Sequence, residues 1–140
     1  MKPSILENPI QRITLIMILL NAFATPVMLS AVNVAIPFIA SDLSVSAVLL
    51  CWIPMAYLMA SAMFVLIFGR IADMVGRKKI FLIGTTSVIV TSLIAASTDS
   101  GITLIATRFL QGVSAAMLYA TQVAIISSIF PPAKRGYAIG

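Results

Sequence analysis

Four long runs of apolar residues, interrupted only at charges and turn residues, decide what this chain can fold into. They extend approximately from Ile13 to Ala40, Ala47 to Phe68, Ile80 to Ser97 and Ile102 to Phe130. A helix rises about 1.5 Å per residue and the hydrocarbon of a bilayer is about 30 Å thick, so about 20 such residues make one crossing. Each run is near or above that length. In lipid every backbone N–H and C=O needs a partner within the protein, which leaves helices or closed barrels, and these runs are too continuous for the alternation of a barrel strand. The expected fold is therefore an all-α integral membrane protein with four transmembrane helices, its first partner being the lipid bilayer. Composition agrees: 61% of the 140 residues are hydrophobic and only 9% are charged, whereas a soluble domain carries about 25% charged residues.

Prolines punctuate the runs. Pro26 and Pro54 lack the N–H that a helix interior uses, so bends are expected at both; Pro37 is expected to end the regular part of the first helix, and Pro131 with Pro132 to stop the fourth. Basic residues set the orientation. With a cytoplasmic N-terminus, Lys2, Arg12, Arg70, Arg77, Lys78, Lys79, Lys134 and Arg135 all lie inside, while the two outer connections hold Asp42 and Asp99, which follows the positive-inside rule; the expected location is the cell membrane. Lys2, an apolar stretch and Ala22-Phe23-Ala24 imitate a cleavable signal peptide, but the apolar run continues to Ala40, so the first span is expected to be retained. The net charge of +5 is spread over short separate connections rather than along one face, which argues against nucleic-acid binding. The chain has no histidine and one cysteine, Cys51, within an apolar run. No metal-ligand, phosphate-loop or Ser/His/Asp constellation exists, so neither a cofactor nor an enzymatic role is expected.

Between the second and third runs lies GRIADMVGRKK, Gly69 to Lys79, which carries five of the chain's nine basic and four acidic side chains. Gly69 and Gly76 are expected to supply close backbone approach and positive φ at the two ends of a turn, Asp73 supplies a carboxylate, and Arg77, Lys78 and Lys79 hold the cytoplasmic side. The spacing (glycine, three residues, aspartate, two residues, glycine, basic cluster) resembles the signature loop that joins spans two and three in the major facilitator superfamily.

A second resemblance to that family lies in LIATRFLQGVSAA, Leu104 to Ala116, an arginine followed three and four residues later by Gln-Gly. Physics singles out the same region. An arginine inside a span costs about 2.5 to 3.5 kcal/mol on insertion scales, so Arg108 needs polar surroundings. At 100° per residue Arg108, Gln111, Gly112, Ala115, Tyr119 and Gln122 fall within about 60° of one direction and form a polar, small-residue stripe. Either that stripe faces a bundle interior or a wet cavity, or Arg108 snorkels to the outer headgroups while Gly112 and Ala116 serve close helix packing.

The third resemblance narrows the branch. SAVNVAIPFIASDL, Ser30 to Leu43, followed by Trp52 and Tyr57, is similar to the EmrB/QacA-type branch of fourteen-span drug-resistance transporters. Many of its members carry an acid five residues before the asparagine; Met28 stands there in this chain, which weakens cation recognition at that point. Asn33 is left as the polar group of the outer half of span one, with Asn21 and Thr25 sharing a face nearer its inner end; such residues more often bond across helices than touch substrate. Trp52 equally fits an aromatic belt at the membrane interface. The resemblance implies that residues 1–140 form the N-terminal part of a transporter domain, one three-helix repeat plus the first helix of the next, with C-terminal helices that belong beyond it. It further implies transport of a small-molecule substrate, proton-coupled multidrug export in this branch. Arg108, Gln111, Tyr119, Gln122 and Asn33 would then line the pathway or couple protons, and Gly69, Asp73, Gly76, Arg77 and Lys78 would form a cytoplasmic gate loop. Another solute carrier of the same superfamily, for a sugar, organic anion or metabolite, shares the loop signature, and a free-standing four-span scaffold is the alternative from a different class.

Overall fold

The computed structural model describes residues 9–43 and 46–129. Four helices follow in order: α1 Pro9–Leu43, α2 Ala47–Val75, α3 Arg77–Ala96 and α4 Gly101–Ile129. All four are long and apolar enough to cross a membrane. Lys2, Phe130, Pro131, Pro132, Lys134 and Arg135, which figure in the expected topology, lie outside the described residues.

The helices overrun the apolar segments that announced them. α1 starts before Ile13 and passes through both Pro26 and Pro37 to Leu43, so Pro37 does not end it. A proline removes one backbone donor, while the rest of the hydrogen-bond ladder on either side persists, and a transmembrane helix tolerates that loss. α2 likewise runs past Phe68 through Gly69, Arg70 and Asp73. Once a helix has nucleated, each added residue gains a hydrogen bond, which outweighs the roughly 1 kcal/mol helix penalty of a single glycine. The expected loop therefore shrinks to one residue. Gly76 has φ 111° and ψ 125°, its N–H donates to Ala72 O at 3.0 Å, and its own carbonyl accepts from Lys79 N at 3.1 Å and Ile80 N at 3.3 Å, closing one helix and opening the next. It is the one described glycine with positive φ; Gly69 is helical and sits at no turn.

α4 forms the centre, with α2 on one side and α3 on the other, and α1 lies against them more loosely. Small residues let the backbones close. A Cβ on Gly112 would collide with the Tyr57 carbonyl and lie 2.8 Å from Ala60 Cβ of α2, and one on Gly84 would lie 3.0 Å from Met117 Cβ and 3.2 Å from Ser114 O of α4. Close packing of this kind, rather than the hydrophobic effect, holds helices together where lipid is as apolar as leucine. Two apolar clusters cap the bundle. Ile18, Phe81, Leu118 and Ile126 gather toward the Gly76 end, and Val32, Ile53 and Leu104 toward the opposite end. The outward faces carry Leu66 at 80% exposure, Phe23 at 72% and Phe38 at 69%, surfaces suited to lipid or further helices.

Candidate functional site

Between the two apolar clusters runs a polar layer built mostly on α4. Arg108, Gln111, Ser114 and Thr121 of α4 are buried, as is Tyr57 of α2. Most hydroxyls there answer their own helix. Thr107 Oγ1 donates to Leu104 O at 2.8 Å, Thr121 Oγ1 to Met117 O at 2.7 Å and Thr91 Oγ1 to Ser87 O at 2.7 Å, so such residues cost little within a span. Others bridge helices. Gln111 Nε2 donates to Ser92 Oγ of α3 at 3.1 Å, and the hydroxyls of Ser114 and Ser87 are hydrogen-bonded at 2.8 Å. Tyr57 and Tyr119 bring their hydroxyls to 3.4 Å across α2 and α4.

Three buried polar atoms have no partner within the described residues: Nε and Nη1 of Arg108 and Oε1 of Gln111. Burial without a partner normally costs about 1 to 3 kcal/mol per group, more for a charged one. Both side chains border a cleft of about 520 Å³ between the last half of α1, the end of α3 and the start of α4. Its walls are mostly apolar, with Met28, Val32 and Leu104 among them, and Asp42 and Asp99 belong to its rim. Gln111 and Met28 also border a smaller cavity of about 60 Å³ toward the Gly76 end, together with Asn21, Thr25 and Tyr57. Met28, at the position where the resembling branch often holds an acid, thus faces both spaces.

The structure brings some of the expected residues together and separates others. Arg108 and Gln111 share the cleft, and Arg108 does not snorkel outward, being only 9% exposed. Gly112 turns away from them to meet α2, because a stripe 60° to either side of one direction is wide enough to touch two neighbours at once. Tyr119 and Gln122 follow further along α4, Tyr119 being 42% exposed and Gln122 half-buried. Asn33 stands apart. The residues of α1 that border the cleft, Met28, Val32, Ala35 and Ile39, recur at helical spacing, and that register leaves Asn33 exposed on another face. Ser87, Ser92 and Ser114 were not anticipated; the signal available was the hydroxyl-rich stretch of α3 and the position of Ser114 one turn beyond Gln111. Asp42 and Asp99, read only for topology, turn out to border the same cleft as Arg108.

At the other end of the bundle Arg77 ties three helices. Its Nε donates to Asp73 Oδ1 at 3.0 Å, completing the ion pair between the last turn of α2 and the first of α3, and its Nη1 donates to Ala124 O of α4 at 2.9 Å. Asp73 and Lys78 are exposed, and Gly69 is half-buried on α2 with open space where a Cβ would stand.

Comparison with known proteins bears on the family of the chain. A family model described as Major Facilitator Superfamily matches residues 18–140. The riboflavin transporter RibZ of Clostridioides difficile (strain 630) is 32% identical over 128 residues, 91% of this chain and 28% of that protein. The puromycin resistance protein pur8 of Streptomyces alboniger is 37% identical over 112 residues, 79% of this chain and 22% of that protein. The tetracenomycin C resistance and export protein of Streptomyces glaucescens is 32% identical over 126 residues, 86% of this chain and 23% of that protein. The chain spans between 22% and 28% of the length of these relatives.

Proposed function

Because this chain belongs to the Major Facilitator Superfamily, we propose that it forms the first four spans of a transporter that exports small, largely apolar molecules across the cell membrane. The observation that carries this reading is the buried Arg108–Gln111 pair with unpartnered polar atoms on a cleft within the helix bundle. A charge in such a place is characteristic of a transport pathway rather than a scaffold. Names of relatives such as the puromycin and tetracenomycin C resistance proteins support the export of antibiotic-like compounds. The N-terminus is cytoplasmic in this reading, which puts Arg12, Arg70, Arg77, Lys78 and Lys79 inside and Asp42 and Asp99 outside. Further helices, which the greater length of the relatives allows for, would cover the exposed face of α1 around Phe23, Val34 and Phe38.

Proton coupling belongs to the same proposal. An arginine stays protonated at any physiological pH, so Arg108 would act through its field, on a carboxylate or on the cargo, rather than by exchanging a proton. The Asp73–Arg77 pair would serve as a latch at the cytoplasmic end. An exposed pair of this kind contributes about 0 to 1 kcal/mol, weak enough to open and re-form in each cycle. In vesicles holding the full-length protein under an imposed proton gradient, puromycin export is expected to fall about tenfold or more for Arg108→Ala and severalfold for Asp73→Asn, by the loss of charge-assisted contacts. Undiminished gradient-driven export by Arg108→Ala removes the coupling role, and unchanged export by Asp73→Asn removes the latch. The similarity to a riboflavin transporter favours a second reading, carriage of a metabolite; riboflavin competing with puromycin in the same vesicles would support it.

A further inference from the structure

The cleft beside Arg108 has a charge arrangement of which the transport reading uses only the arginine. Arg108 borders it with two guanidinium nitrogens buried and without a partner, while Asp42 and Asp99, which also border it, are exposed. Neither acid pairs with the arginine, since the one ion pair among the described residues is Asp73–Arg77. Arg108 is the eighth residue of α4, so it lies about 10 Å below the helix start beside which Asp99 sits. Val32, Ile39 and Leu104 are among the apolar residues that line it, and its 520 Å³ is of a size that holds a drug-sized molecule. Were Gln111 Oε1 to turn onto Arg108 Nε, the second nitrogen, Nη1, would still need an acceptor.

We propose that this cleft binds amphoteric molecules: an apolar body about 10 Å long with an anionic or strongly accepting group that meets Arg108 at the bottom, and a cationic amine held between Asp42 and Asp99 at the mouth. The proposal deepens the transport reading by naming the substrate class of the same site. A purely cationic compound would set its charge or its apolar end against the buried guanidinium. A purely anionic one would satisfy Arg108 but meet two carboxylates at the entrance. A molecule carrying both groups answers both ends.

The test uses the full-length protein in nanodiscs and three probes: 4-(4-aminobutyl)benzoic acid, its methyl ester and its N-acetyl derivative, with binding read by calorimetry. The unaltered protein is expected to bind the parent acid about tenfold or more tightly than either derivative. Arg108→Gln should bring the acid-to-ester ratio to about one while the preference for the free amine remains. The double variant Asp42→Asn with Asp99→Asn changes only exposed side chains and should do the reverse, which keeps the test valid if Arg108→Gln fails to fold. No binding of any probe, equal binding of all three by the unaltered protein, or an intact acid preference in folded Arg108→Gln overturns the proposal. Puromycin export measured on the same preparation separates the two readings. Export without this probe ranking removes the amphoteric site alone, and the ranking without export removes the transport reading alone.

Discussion

Gly112 shows how much a single hydrogen atom in place of a side chain decides here. Its Cα sits against the Tyr57 carbonyl and Ala60 of α2, so Gly112→Ala must push α2 and α4 apart. Overpacking of that sort costs about 1 to 3 kcal/mol, and a lowered melting temperature of the detergent-solubilised protein is the expected outcome. The sequence offered Gly112 as part of a polar stripe with Arg108; it could not reveal that the two residues serve different neighbours, because a 3.6-residue period gives a direction but not which helix stands there. Arg108 itself was legible, since charge inside an apolar run is costly enough to need an explanation. Asp42 and Asp99 were not, because an acid at the end of a span already satisfies the topology rule and nothing local points it toward an arginine on another helix.

At the scale of elements, the existence and order of the four helices followed from hydropathy alone, while their ends did not. Backbone hydrogen bonding carries α2 seven residues past the expected end of its apolar run, from Phe68 to Val75, and the charges of that stretch ride on helix rather than loop. The two glycines of GRIADMVGRKK therefore have different roles, which yields a paired prediction. Gly76→Ala forces a Cβ into a positive-φ backbone and should destabilise by about 1 to 3 kcal/mol. Gly69→Ala, with nothing within 4 Å of the new methyl, should leave thermal stability unchanged or raise it by up to about 1 kcal/mol. If Gly69→Ala instead impairs the full-length protein, that face of α2 is covered by another part of the chain. The α3–α4 seam was less visible from sequence. Its hydrogen bonds join Ser87, Ser92, Gln111 and Ser114, residues that a hydropathy scan registers only as dilution of an apolar run.

For the molecule as a whole, the membrane class was fixed by composition and the polar interior by one charged residue, but the cleft depends on how loosely α1 docks, which no local pattern encodes. Its two ends also carry opposite charge, Asp42 and Asp99 at one and Arg12, Arg70, Arg77, Lys78 and Lys79 at the other. With the exposed Cys51 first replaced by serine, Asp99→Cys in intact cells should react with a membrane-impermeant maleimide and Lys78→Cys should not; the reverse pattern would invert the topology. The single-residue joint at Gly76 has a mechanical consequence. Two rods of 29 and 20 residues, about 43 and 30 Å long, meet at a pivot with no slack and are pinned there by Arg77 to α4. A swing of about 10° at that pivot sweeps the distant tip of α2 through about 7 Å. Leverage of this kind would turn a small rearrangement among charges on one side of the bilayer into a displacement greater than the width of a helix backbone on the other.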